Sequence, residues 1–355
     1  MTTYLLAGGG TAGHVNPLLA VADAIMLRDP AATVLVLGTA EGLESRLVPA
    51  RGYELAVIPR VPFPRRPNRQ ALSFLPRMRR AIALTSELIR SRGVDVVVGF
   101  GGYVSTPAYL AARRTRVPIA IHEANARPGL ANKLGARYTT RVGVAFLGTP
   151  IRHARFVGMP LRAEIENLDR ARERPEAADY FGLAPDRPVL LVTGGSLGAR
   201  RLNSTMVQSA PELALAGWQI LHITGEKAEV VDPGIDHYRM IAYCDRMDLA
   251  LAAADFAVSR AGSATVSELS ALGIPAVYVP YPVGNGEQRF NAAGVVEAGG
   301  GILVDDSAFL PEWVQQRLVP LLANEATVRT MGAAAASVGV LDGSRRMLEL
   351  IDSAL

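Results

Sequence analysis

Cysteine occurs once in the 355 residues, at Cys244, which excludes a disulfide framework and a cysteine-built metal cluster. The five histidines are scattered, with no zinc-like spacing. Lysine is confined to Lys133 and Lys227, so nearly all the positive charge is arginine. Basic residues number 37 against 33 acidic ones, a formal charge of +4. That excess is too small for a nucleic-acid footprint and suits a local patch for something acidic. No apolar run approaches the roughly 20 residues that cross a bilayer. The first run, Tyr4 to Ala7, stops in glycines after one strand's length, so no signal peptide is expected. These absences leave a soluble or peripheral cytosolic protein. Its 49% hydrophobic content supplies sizeable cores, and the length favours two domains.

Short apolar runs alternate with helical patterns through the chain. Tyr4–Ala7, Val34–Leu37, Val94–Val98, Ile119–Ile121 and Val142–Phe146 read as buried strands in the first half. Val189–Thr193, Gln219–Ile223, Phe256–Ser259, Ala276–Val279 and Ile302–Val304 repeat the style, with helical patterns over Val266–Leu272 and Gln288–Ala298. Such alternation predicts α/β domains with parallel sheets covered on both faces. The stretch Leu5 to Gly13 is echoed by Leu190 to Gly198: each is a strand, a glycine turn and the start of a helix. Two doubly wound, Rossmann-like domains facing across a cleft are therefore expected. They divide near Pro160–Arg162, into residues 1–162 and 163–340, with a last helix over 341–355 packing back on the first. The charged stretch Asp169–Pro175 follows the division.

Gly8, Gly10 and Gly13 have the G-x-G-x-x-G spacing of a dinucleotide fingerprint. A nicotinamide-dependent dehydrogenase also needs an acid for the ribose hydroxyls near the end of the second strand. That strand ends in Gly38-Thr39, and Glu41 lies beyond the expected position. The alternative is a turn facing an acceptor or a leaving diphosphate, where glycines permit close approach and a helix N-terminus favours negative charge. His14 at the helix mouth is then placed for proton transfer.

Further stretches occur in order. They are Gly8-Gly9-Gly10-Thr11-Ala12-Gly13-His14-Val15-Asn16-Pro17, Phe100-Gly101-Gly102-Tyr103-Val104-Ser105, His122-Glu123-Ala124-Asn125 and Gly158-Met159-Pro160-Leu161-Arg162. Gly194-Gly195-Ser196-Leu197-Gly198-Ala199-Arg200, Arg260-Ala261-Gly262, Thr265-Val266-Ser267-Glu268, Gln288 and Asn291 follow. Together they resemble the MurG family, GT-B glycosyltransferases of family 28 that add N-acetylglucosamine to lipid I to make lipid II. The resemblance spans residues 8 to 291. It implies an inverting transfer from UDP-N-acetylglucosamine to the C4 hydroxyl of N-acetylmuramic acid, with no cofactor. No D-x-D motif is present, and metal-independent catalysis is expected.

The resemblance also implies a division of the site. His14 is the candidate base, with binding of the lipid pyrophosphate as its other possible role. Thr11, Ala12, Gly13, Asn125, Arg162, Gly195, Ser196, Cys244, Ser263, Ala264, Thr265, Val266, Ser267, Glu268 and Gln288 are assigned to UDP-N-acetylglucosamine. Gly10, Gly101, Gly102 and Tyr103 form acceptor-side turns. Gly195 and Ser196 would hold the diphosphate, Glu268 the ribose hydroxyls, and Gln288 the sugar, while main chain near Cys244 would meet uracil. Leu197, Met159 and Glu287 depart from the family pattern. His122 is expected to be structural. The implied partners are lipid I, anionic inner-leaflet phospholipids and other proteins of cell-wall assembly, at the cytoplasmic face of the cell membrane. A membrane patch is read in Arg60 to Arg69 and Leu72 to Arg80, seven arginines interleaved with Phe63, Leu72, Phe74, Leu75 and Met78. Competing readings are a GT-B transferase acting on a lipid, sterol or natural product, and a UDP-N-acetylglucosamine 2-epimerase.

Overall fold

The computed structural model describes the backbone of residues 1–61, 69–195, 199–282 and 286–355, and the side chains of these except 69–72. The chain forms two compact units, Met1–Ala163 with Asp342–Leu355, and Glu164–Leu341.

The first unit is built on seven parallel strands: β1 (Thr3–Gly8), β2 (Thr33–Gly38), β3 (Glu54–Val57), β4 (Val96–Gly101), β5 (Ile119–Glu123), β6 (Val142–Val144) and β7 (Ala154–Phe156). Their order is β3-β2-β1-β4-β5-β6-β7, with a topological switch beside β1. Alternate residues serve opposite faces. Tyr4, Leu6, Val34, Val36, Val96 and Val98 pack with helix Ala12–Arg28 and the C-terminal helix Gly343–Asp352. Leu5, Ala7, Leu35, Leu37 and Val97 pack against residues of helices Arg69–Ser91 and Ser105–Thr115. The unbroken apolar runs Tyr4–Ala7, Val34–Leu37 and Val96–Val98 are what covering both faces demands. The C-terminal helix begins at Gly343, where a Cβ would strike the Met159 carbonyl oxygen at 2.1 Å. Met159 is itself buried, so its apolar side chain serves packing.

The second unit has six parallel strands: β8 (Val189–Thr193), β9 (Gln219–Ile223), β10 (Tyr238–Ile241), β11 (Phe256–Ser259), β12 (Ala276–Tyr278) and β13 (Gly301–Leu303), in the order β10-β9-β8-β11-β12-β13. Its glycine turn again follows the strand beside the switch. The charged stretch at Asp169 is a helix, Arg170–Phe181, whose first turn is capped by the Asp169 carboxylate accepting from the Arg172 amide.

Strands β3, β7 and β10 have no counterpart in the apolar-run reading. The first two are short, partly exposed edge strands with little to bury, and β10 carries the polar Arg239 within a four-residue strand. His122 and His222 are fully buried. Burial pushes each imidazole down to about 4. His122 Nε2 lies 3.0 Å from the Gly158 carbonyl, which can only accept, so that nitrogen carries the proton. His222 sits between the Tyr238 hydroxyl at 2.6 Å and Asn203 Oδ1 at 3.1 Å. Both are neutral structural histidines.

Candidate active site

The end of β1 turns at Gly8–Gly10 into the helix that starts at Ala12. His14 lies in the first turn of that helix, half-buried. Its Nδ1 is 3.2 Å from the Gly9 carbonyl oxygen and 3.2 Å from Thr11 Oγ1. A carbonyl only accepts, so the bond to Gly9 places the imidazole proton on Nδ1 and leaves a lone pair on Nε2. The Nε2 edge lies against Gly101, where an added Cβ would come within 2.9 Å of His14 Cδ2 and 3.0 Å of Nε2. Gly101 and Gly102 have φ of +99° and +81°, a region that favours glycine. Gly102 presses on the first turn so closely that a Cβ would lie 2.4 Å from the Gly9 carbonyl oxygen. Ser105 ties the two turns together. Its Oγ accepts the Gly101 amide proton at 2.9 Å and lies 2.9 Å from the Ala7 carbonyl. Thus His14, Thr11, Gly10, Gly101 and Gly102 converge, with Tyr103 beside them, its ring under the Arg60 guanidinium at 5.4 Å.

Behind the imidazole lies Glu123, buried at the end of β5. Its carboxyl accepts from the Asn125 amide at 3.0 Å, the Gly129 amide at 3.0 Å and Asn132 Nδ2 at 2.9 Å. Asn132 Oδ1 accepts in turn from the Tyr109 hydroxyl at 2.7 Å. Burial pushes the Glu123 carboxyl up, against the pull of these three donors and of His14. Sequence reasoning quoted Glu123 inside a motif and gave it no role. The signal was an acid as the last residue of a buried strand, at the edge where α/β sheets place ligands.

The dinucleotide reading finds its physical answer here. The Gly10 N–H, which a pyrophosphate at this turn would need, donates instead to Glu44 Oε2 at 2.8 Å. The acid that follows β2 therefore serves the turn itself.

In the second unit, Gly195 adopts φ +70° and its amide lies 3.3 Å from Thr193 Oγ1. Ser196, with Leu197, lies outside the described residues. Helix Ser263–Ala271 carries Ser263 to Glu268. The side chains of Ser263, Val266 and Ser267 are buried, whereas Ala264, Thr265 and Glu268 are half-buried. The Val266 side chain is turned into the core, and its amide donates to the Gly262 carbonyl at 2.9 Å. Gln288 Oε1 accepts the Tyr281 amide proton at 2.8 Å, which turns the amide NH₂ into its donor end. Cys244 is half-buried on the segment after β10. Arg260 is spent inside the unit: its guanidinium pairs with Asp306 at 2.7 Å and donates to the Val279 carbonyl at 3.1 Å. The Ala261 carbonyl of the same motif accepts from Asn291 at 3.3 Å. Asn125 and Arg162 are half-buried residues of the first unit.

In the membrane reading, Phe63, Arg65 and Arg66 lie outside the described residues, as do the side chains of Arg69 and Leu72. Met78 is corrected: it is buried in the core of the first unit, and Phe74 packs partly against that core. Leu75 is 60% exposed on the same helix, with Arg77, Arg79 and Arg80 exposed beside it.

Two family models match, the glycosyltransferase family 28 N-terminal domain over residues 4–144 and its C-terminal domain over 189–347. Two similar relatives are the UDP-N-acetylglucosamine–N-acetylmuramyl-(pentapeptide) pyrophosphoryl-undecaprenol N-acetylglucosamine transferases of Leifsonia xyli and Clavibacter sepedonicus. The first is 68% identical over 100% of this chain and 99% of its own, the second 61% over 100% and 97%. Among solved structures, MurG of Acinetobacter baumannii has a TM-score of 0.82 at 28% identity, covering 99% of this chain and 100% of its own. The UDP-GlcNAc 2-epimerase of Neisseria meningitidis shares the fold alone, at 14% identity and a TM-score of 0.69 over 99% of this chain and 100% of its own. With two parallel-sheet units, both family domains and these full-length relatives, the chain has the GT-B fold and belongs to glycosyltransferase family 28, as a member of the MurG family.

Proposed function

We infer that this protein transfers N-acetylglucosamine from UDP-N-acetylglucosamine to the C4 hydroxyl of the N-acetylmuramic acid of lipid I, making lipid II. The observation that carries the mechanism is the His14 imidazole, whose Nδ1–H is engaged by a backbone carbonyl and whose Nε2 is left basic. In this reading the acceptor hydroxyl gives its proton to Nε2 as its oxygen bonds the anomeric carbon. The bond from that carbon to the diphosphate oxygen breaks with its electron pair, and UDP leaves from the opposite face. An α-linked donor thereby gives a β-linkage. The N-terminus of helix Arg200–Gln208, which follows the glycine turn assigned to the diphosphate, favours the charge developing on that leaving group. Thr11, Ala12 and Gly13 open the helix beside the base.

The half-buried Glu268 suits the neighbouring ribose hydroxyls, because one carboxylate can accept from both. Gln288, with its NH₂ end outward from the Tyr281 amide, donates to sugar oxygens. Loss of a charge-assisted hydrogen bond costs about 1.5–3 kcal/mol. Glu268→Ala should therefore raise the KM for UDP-N-acetylglucosamine about ten- to hundredfold, with a smaller change in kcat, in initial-rate measurements with lipid I. An unchanged donor KM would remove Glu268 from the nucleotide site.

No helix among the described residues is long and apolar enough to cross a membrane. The exposed Leu75, Arg77, Arg79 and Arg80 offer an apolar tip and positive charge for the anionic cytoplasmic face that a lipid-linked acceptor requires. Each basic residue near such a surface contributes about 1 kcal/mol. Changing Arg77, Arg79 and Arg80 to Glu should weaken sedimentation with anionic liposomes about a hundredfold, and binding that persists unchanged would place the membrane contact elsewhere.

A further inference from the structure

One buried acid outside the assigned site organises the turn that carries the base. Glu44 begins the short helix after β2 and has no exposed surface. Its Oε2 takes the Gly10 amide proton at 2.8 Å, and its Oε1 takes both the Thr39 amide and the Thr39 hydroxyl proton at 2.9 Å. Three glycines surround this carboxylate. A Cβ would come within 2.4 Å of a Glu44 atom at Gly9, 2.6 Å at Gly38 and 2.0 Å at Gly42. The packing leaves room for the carboxylate and for nothing larger. Burial works against the charge, while the bonds from Gly10, its own amide and Thr39 overcome that penalty and hold the carboxyl below the usual range. A fixed negative charge at this place also complements the N-terminus of helix Ala12–Arg28. Contact then runs from Glu44 to the Gly10 amide, and through the adjoining Gly9 carbonyl to His14 Nδ1 at 3.2 Å.

We propose that Glu44 is a positioning residue for the glycosyl transfer: its carboxylate clamps the exits of β1 and β2 so that the Gly9 carbonyl fixes the ring and tautomer of His14. Glu44 never meets either substrate in this arrangement. The inference rests on the reading of His14 as the base.

Glu44→Gln keeps the shape but turns an NH₂ toward amide donors, so the Gly10 or Thr39 contact is lost. Thr39→Val removes one hydroxyl from the clamp and leaves the backbone bond, a milder version of the same lesion. The full-length variants would be compared in thermal unfolding, in calorimetric binding of UDP-N-acetylglucosamine, and in turnover with saturating donor and lipid I. The expected result for Glu44→Gln is a kcat at least tenfold lower with donor affinity changed less than twofold. Thr39→Val should show a smaller loss of the same kind. In a His14→Ala background, Glu44→Gln should cause no further loss, since its effect passes through the imidazole. The proposal is overturned if folded Glu44→Gln and Thr39→Val turn over like the wild type, if donor affinity and kcat fall together, or if the losses from Glu44→Gln and His14→Ala multiply. Unimpaired turnover of His14→Ala alone would instead overturn the underlying assignment of the base.

Discussion

His14→Ala is expected to lower kcat by about a hundred- to ten-thousand-fold, the usual contribution of a positioned general base. Donor affinity should fall less than kcat, because most of the groups assigned to UDP-N-acetylglucosamine, Ser263 to Glu268 on helix Ser263–Ala271 among them, belong to the other unit. His14→Gln is the more demanding variant, because it keeps a polar side chain of similar reach but cannot take a proton at neutral pH. Turnover measured with saturating UDP-N-acetylglucosamine and lipid I decides the matter. Near-wild-type kcat in either variant would take the base role from His14 and leave it the acceptor pyrophosphate.

Gly102→Ala is expected to cost the first unit both stability and turnover. A non-glycine residue at φ +81° costs about 1–2 kcal/mol from the Cβ–carbonyl contact alone. The added Cβ would also meet backbone, the Gly9 carbonyl oxygen at 2.4 Å and the Gly9 amide nitrogen at 3.2 Å, and backbone cannot rotate away as a side-chain end does. Relief requires the Gly9 turn to move, and the Gly9 carbonyl is the group that orients His14. We therefore expect a stability loss of roughly 3 kcal/mol or more, combining backbone strain with overpacking, and at least a tenfold loss of kcat below the unfolding transition. Thermal unfolding and steady-state rates on the same preparation separate the two effects. A variant with wild-type Tm and turnover would show that the two turns are not coupled in this way.

Much of this architecture was legible because buried parallel strands are written as apolar runs. Val96-Val97-Val98 and Leu190-Leu191-Val192 need no periodicity to be read, since both faces of each strand are covered. The edge strands β3 and β7 escaped because exposed pairing needs neither an apolar run nor a preferred face. Met78 was misread for a related reason. Within a run of arginines, only the packing of helix Arg69–Ser91 reveals that the Met78 side chain turns inward while Arg77 and Arg79 face outward. Sequence order reports which residues are near one another in the chain, whereas the helix's rotation against the sheet sorts them between core and solvent.

The amino-acid sequence by itself determined the class of fold, the duplication of the strand–glycine-turn–helix unit, and the ordered motifs that identify the family. These are local properties: strand runs, turn glycines and helix starts depend on neighbours a few residues away. The tertiary structure alone decided what the first glycine turn contains. Gly10 and Glu44 are 34 positions apart, and Gly102 meets Gly9 across two strands of the sheet, so no spacing rule could join them. Only the folded sheet brings an acid to the Gly10 amide and a second turn against the Gly9 backbone. It also commits the Nδ1 proton of His14 to a carbonyl. The turn thereby becomes a mount for a base, because its amide is already occupied by a charge of the protein's own.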